Sequence, residues 1–305
     1  MAKKEVIKEK TKGILLIALG HNQYGRLAYN LATTIKAANQ NINISLVHNN
    51  SSITHLSDLQ KSIFDKLIEC PLDYYTHQNK FCAVKSKVYA NVLTPYDCTL
   101  FLDSDTALMP NKDIYNFINQ LEGLDFTIKN SGYYDVATST RFDSILYGYS
   151  VKPEEIVKEY KAKDKVWQVQ GEVFYFEKTK KSEILFNEAQ KAFTSQKLIL
   201  EHGFAGCSMN DELAFIIGLI KSGINPHVNR WMPSYWHYLN GGGKPLDISY
   251  VVCEYYFLSV GGNNVPKEVS NMYNNIISKS TNALKVPNRF KFENKINYLP
   301  ERKLF

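Results

Sequence analysis

Two spacings of apolar residues alternate along this chain. Gly13–Gly20 (GILLIALG) is a short, nearly continuous apolar run and predicts a buried strand. From about Tyr24 to Ala38 the period lengthens, with Leu27, Leu31 and Ile35 on one helical face. Ile42–His48 (INISLVH) returns to strand spacing. Such a β-α-β opening predicts parallel pairing through a right-handed crossover. The pattern then predicts helices over 54–69 and Lys80–Leu93, followed by a strand at Cys98–Leu102. Asn111 is the expected N-cap of a helix Lys112–Leu121 that stops at Gly123.

The second half is more mixed. Val166–Glu177 (VWQVQGEVFYFE) predicts one or two strands. Lys181–Phe193 has helical spacing, as does Met209–Ser222, which Ser208 could cap and Gly223 end. Residues 224–229 are strand-like, and the Asn- and Lys-rich final 50 residues carry no clear period. The whole predicts an α/β fold, its Rossmann-like, mostly parallel central sheet flanked by helices.

Composition narrows the class. The 305 residues suffice for one large domain or two small ones, and a 44% hydrophobic content is ordinary for a globular chain. No apolar run approaches the roughly 20 residues of a membrane span. The expectation is a cytoplasmic protein without a signal peptide. Cys70, Cys82, Cys98, Cys207 and Cys253 are scattered, which argues for free thiols and against a disulfide framework. The net charge of +6 resides in the ends: residues 1–12 carry +3 and 285–305 carry +4. Basic ends are usually solvated, but they leave a nucleic-acid acceptor open.

The densest chemistry is FLDSDTALMP, where Asp103 and Asp105 flank Ser104 at the end of a predicted strand. In open α/β sheets ligands bind outside such strand ends. Paired carboxylates there suit a hard divalent cation on phosphate oxygens. The alternative is a loop whose aspartates cap the next helix. Leu19–Arg26 (LGHNQYGR) is the turn after the first strand, with His21 in it and Tyr24 able to stack on a base. Lys85 could neutralise a pyrophosphate, or be a solvated helix lysine. Asp211 and Glu212 open an apolar helix, which the helix dipole favours whatever their role. His237 could ligate a metal, Gly242 and Gly243 could admit phosphate oxygens to backbone amides, and Lys244 could neutralise a diphosphate.

In this order, over most of residues 13–247, the motifs resemble the glycogenin-like, family-8 glycosyltransferases of the GT-A fold. FLDSDTAL is similar to the family's Asp-x-Asp strand and loop, NDELAFIIGLI to its Asp-Gln helix start, and HYLNGGGKP to its His-x-x-Gly-x-x-Lys-Pro loop. The resemblance implies a nucleotide-sugar donor, UDP-sugar first, and transfer to a hydroxyl acceptor with retention. It implies Mn²⁺ or Mg²⁺ held by Asp103, Asp105 and His237. Donor contacts would come from Leu19, His21, Tyr24, Lys85, Asp103, Ser104, Asp105, Gly242, Gly243 and Lys244. Asp211 and Gln170 would contact the sugar. It also implies a division into a basic tail (1–12), a GT-A catalytic domain (13–250) and a C-terminal extension (251–305). The domain's nucleotide-binding half would be 13–110 and its acceptor half 111–250. The chain departs from the family where Gln170-Gly171-Glu172 replaces Asn-Ser-Gly and where Leu246 replaces Trp. A nucleotidyltransferase of related fold and a non-catalytic sugar-binding module are the rival classes.

Overall fold

The opening strand β1 (Lys12–Ala18) is apolar after Lys12 because both of its faces are covered. Ile14, Leu16 and Ala18 pack on one side with Ala28, Leu31 and Ile35 of the helix Asn22–Ala38. Leu15 packs on the other with Phe186 and Phe215, from the helices Lys180–Ser195 and Asp211–Ser222. The computed structural model describes residues 9–141, 152–195, 210–226, 231–236, 247–262, 265–286 and 290–292.

The strands are β1, β2 (Asn43–His48), β3 (Lys66–Glu69), β4 (Thr76–His77), β5 (Lys80–Phe81), β6 (Cys98–Asp103) and β7 (Thr106–Leu108). After them come β8 (Phe126–Asp135), β9 (Thr140–Arg141), β10 (Lys165–Glu177), β11 (Ser234–Tyr235) and β12 (Phe257–Ser259). The main sheet has seven strands in the order β3-β2-β1-β6-β10-β8-β9. β3, β2, β1 and β6 are parallel, whereas β10, β8 and β9 join antiparallel. A three-stranded sheet β11-β12-β7 stands beside it, and β4 and β5 form a hairpin. The α/β class and the opening β-α-β unit are as expected.

Several elements differ from the sequence pattern. Only Asp58–Lys61 of 54–69 is helical, started by a Ser57–Gln60 capping box. Lys66–Glu69 pairs as β3 along β2, Leu46 opposite Leu67, so tertiary pairing overrides the helical spacing there. Lys80–Leu93 opens with β5, because Gln78 and Asn79 both take left-handed conformations and close the hairpin. A 3₁₀ turn, Ala83–Tyr89, and the short helix Ala90–Leu93 follow. The helix after β7 is Ile114–Gln120, and its N-cap is Asp113, whose carboxylate accepts from the Asn116 N–H. Asn111 instead sits in the left-handed region. Asn210 caps the helix Asp211–Ser222, and Gly223 ends it with φ +67° as expected. Ser208 lies outside the described residues. Residues 224–226 form no strand. Cys82 is disulfide-bonded, which corrects the expectation of free thiols throughout. Cys70, Cys98 and Cys253 are free.

The expected boundary at 250 does not separate a unit. It falls between β11 and β12, which are hydrogen-bonded neighbours, and β12 also pairs with β7 directly after the aspartates. The helix Lys267–Leu284 buries Val269, Tyr273 and Ile277 in one cluster with Leu27. Phe290 is then tied to the helix Asn22–Ala38: Asn30 Nδ2 donates to its carbonyl at 2.7 Å. Among the described residues no helix is long and apolar enough to cross a membrane.

Candidate functional site

Asp103 ends β6 opposite Ile17, so its carboxylate emerges beside the end of β1. The chain leaves β1 for β2 on one side, while β6 lies on the other. The crevice outside such a reversal of strand order is where α/β sheets bind ligands. Thr106 Oγ1 donates to the Asp103 carbonyl at 2.9 Å and holds the turn that carries Ser104 and Asp105. The Asp105 carbonyl accepts from the Val260 N–H at 2.9 Å, so the strand end of β12 is fixed against the turn. Gly261 is needed there: a Cβ would stand 2.7 Å from Asp105 Oδ2.

The lysine that reaches the carboxylates is Lys87. Its Nζ lies 2.8 Å from Asp103 and 3.4 Å from Asp211 Oδ2, and donates to the Gly171 carbonyl at 3.1 Å. Lys85, expected at the diphosphate, has its buried Nζ committed elsewhere. It donates to the carbonyls of Asp73 at 2.6 Å and Thr76 at 2.8 Å. That position corrects the assignment of Lys85, whose charge fixes the hairpin segment.

Gly171 and Asp211 meet because β10 bulges. Its pairing with β8 jumps from Val169–Asn130 to Phe174–Ile128, five steps along β10 against two along β8. Bulges re-aim side chains, and this one turns residues 170–172 out of the ladder. The Gly171 N–H donates to Glu212 Oε1 at 3.2 Å, stitching the bulge to the helix start. A Cβ on Gly171 would lie 2.2 Å from Asp211 Oδ2, so any larger residue would force the Asp211 carboxylate or the bulge to shift. Gln170 is 5% exposed, and neither atom of its amide has a hydrogen-bond partner among the described residues. Glu172 pairs with Lys129 of β8, whose side chain is wholly buried.

Charge is unevenly matched. Among the described residues Asp103, Asp105, Asp211 and Glu172 face two ammonium groups, Lys87 and Lys129. Burial alone would lower the Lys87 ammonium, but the charges of Asp103 and Asp211 outweigh it and raise it. Burial pushes the Asp103 carboxyl well above the usual carboxylate range, with Lys87 opposing and Asp105 adding. Asp105 is pushed up to about 6, by burial and by the charge of Glu172. Unrelieved carboxylate oxygens fit a hard divalent cation such as Mn²⁺ or Mg²⁺. Among the described residues no three His, Cys, Asp or Glu side chains are arranged to hold a metal ion. Asp103 and Asp105 would thus be joined by phosphate and water oxygens, as Mg²⁺ sites commonly are.

The other expected residues are spread more widely. Leu19 is buried in the core, which leaves only its backbone for a ligand. His21 is exposed and caps the helix Asn22–Ala38, its Nδ1 accepting from the Gln23 N–H at 3.2 Å. Tyr24 is half-buried against the core, and Ser104 is buried. His237, Gly242, Gly243 and Lys244 lie outside the described residues. Lys87 and Lys129 escaped the sequence reading, and Gly171 and Glu172 entered it only as a departure from the family's motif. Lys129 and Glu172 did leave a signal, as opposite charges inside two apolar strand runs, where a charge needs a partner.

No family model matches the chain, and no curated protein matches it in sequence. Solved structures do match its fold. A galactosyltransferase, LgtC, solved with donor and acceptor sugar analogs, aligns over 90% of this chain and 96% of its own, at 11% identity and TM-score 0.53. GlyE, a glycosyltransferase of Streptococcus pneumoniae TIGR4, aligns over 92% of this chain and 65% of its own, at 12% identity and TM-score 0.52. The bifunctional glycosyltransferase WbbM aligns over 92% of this chain at 13% identity and TM-score 0.50, and the chain spans 52% of its length. The shared architecture is the GT-A fold.

Proposed function

We propose that this GT-A-fold chain is a metal-dependent glycosyltransferase. It would move a sugar from a nucleotide-diphosphate donor, UDP-sugar first, to a hydroxyl of a glycan, protein or modified nucleic acid. The observation that carries this reading is the convergence of Asp103 and Asp211 on Lys87, with Asp105 one turn away, at the strand ends of the sheet. Mn²⁺ or Mg²⁺ at Asp103 and Asp105 would supply positive charge for the departing diphosphate. Lys87 brings a fixed ammonium to the same crevice, where low dielectric strengthens its field. Its ion pairs hold it in place before any ligand arrives, so little reorganisation is needed.

Asp211 and Gln170 are assigned to the sugar hydroxyls. The support for Gln170 is its buried, unpartnered amide, which a ligand hydroxyl could satisfy in both directions. His237 is assigned as a third ligand of the cation, and Gly242, Gly243 and Lys244 as diphosphate contacts. Retention of anomeric configuration and a cytoplasmic location belong to the same reading.

The test is a donor panel with Mn²⁺ and a crude acceptor extract, read by mass spectrometry. Release of nucleoside diphosphate with a matching sugar increment on an acceptor supports the proposal. Consumption of a nucleoside triphosphate with pyrophosphate release would replace it with nucleotidyl transfer. Binding of free sugar without turnover would replace it with a binding module.

A further inference from the structure

The Lys129–Glu172 pair has no part in the mechanism above, yet it joins the two sheets at the site. Lys129 comes from β8 and its side chain has no solvent exposure. Glu172 comes from the bulge of β10. Its Oε2 accepts from Lys129 and, at 2.7 Å, from Ser234 of β11. β11 in turn pairs with β12, Ser234 opposite Phe257, and two residues on Ser259 Oγ accepts from the Gly261 N–H at 3.2 Å. Gly261 is the residue packed against Asp105 Oδ2. A chain of contacts thus runs from the buried ammonium through Glu172, Ser234 and the β11-β12 pair to Val260, whose N–H meets the Asp105 carbonyl. The other oxygen, Oε1, is buried and has no hydrogen-bond partner among the described residues.

We propose that the Lys129–Glu172 pair is a positioning element for the cation at Asp105. Lys129 anchors a carboxylate that ties the bulge of β10 to β11 without ligating. The same carboxylate holds β11 and β12 at a set distance from the aspartates. This rests on the cation reading of the site. Replacing both by neutral residues leaves the net charge of the protein unchanged and removes the tie from β8 through Glu172 to Ser234 of β11. A pair that served only folding would leave cation binding alone once the protein had folded.

The experiment is calorimetric titration with Mn²⁺ alone, at pH 7, on the full chain and on Lys129→Met/Glu172→Gln. Both charges leave together, so the double variant avoids an uncompensated buried charge. The expected result is a folded protein whose Mn²⁺ affinity falls on the order of tenfold. A second variant, Ser234→Ala/Ser259→Ala, keeps both charges and loosens only the tie, and is expected to weaken Mn²⁺ about threefold. Should the first variant fail to fold, the second decides. Wild-type affinity in either folded variant overturns the positioning role while leaving the cation reading intact. Failure of the unmodified protein to bind Mn²⁺ overturns both.

Discussion

Lys87 Nζ lies 2.8 Å from the Asp103 carboxylate, a contact between a 3₁₀ turn and the end of a central strand. It makes Lys87 the charge that organises the crevice. Lys87→Met is expected to lower kcat/KM for sugar transfer at least 100-fold, the scale seen when a fixed electrostatic donor is removed. Steady-state kinetics on the purified variant checks it.

Lys85→Met separates structure from chemistry. Its ammonium serves two backbone carbonyls, so its loss should cost roughly 1.5–3 kcal/mol of stability. The kcat of the folded fraction should stay near wild type. Denaturant melts and kinetics on the same preparation read the two effects apart.

Gly171→Ala tests the close approach of the bulge to the helix start. The new methyl would stand 2.2 Å from Asp211 Oδ2, so Asp211 or the bulge must move. Overpacking of this kind costs roughly 1–3 kcal/mol. Donor turnover should fall by more than the melting shift accounts for, because Lys87 loses its set distance to Asp211. An unchanged kcat/KM would show that the approach serves packing alone.

Acidity should act on the cation-free protein in an unusual direction. Asp103 and Asp105 are raised above the unfolded carboxylate value, Asp105 to about 6. The folded state then binds more protons than the unfolded state between about pH 4 and pH 6. Stability contributed by these groups is present at the low end of that window and is lost as pH rises through about 6. A Mn²⁺-induced rise in melting temperature should follow the reverse course, large at pH 7 and small at pH 5. Thermal melts with and without Mn²⁺ across this range check both signs.

Truncation after residue 250 should abolish folding. It removes β12, which pairs with β7, and the helix that buries Val269, Tyr273 and Ile277 against Leu27. A soluble, cooperatively melting product would contradict this.

The sequence announces what local spacing controls. The strand before the aspartates, the β-α-β opening and the glycine stop at Gly223 could all be read from it. What it concealed was set by distant pairing. Lys85 and Lys87 stand two residues apart, and a helical reading of their segment offered no reason to choose between them. The hairpin turn at Gln78 and Asn79 decides it by placing one ammonium on carbonyls and the other in the crevice. Gly171 looked like part of a departure in a motif, but its value lies in an approach to Asp211, 40 residues onward. In the C-terminal region the strand is only three residues long and pairs far back in the chain, but the helix Lys267–Leu284 does carry a period, Val269, Met272, Tyr273, Ile276 and Ile277, set among Asn and Lys residues.

The most direct test is the melting temperature of wild type and Asp105→Asn with UDP, with Mn²⁺, and with both. The proposed site predicts that UDP and Mn²⁺ together stabilise the wild type by more than the sum of their separate effects, and that Asp105→Asn abolishes this synergy while remaining folded. Equal stabilisation by UDP with and without Mn²⁺, or full synergy in the variant, would contradict a cation-assisted diphosphate site at the aspartate turn.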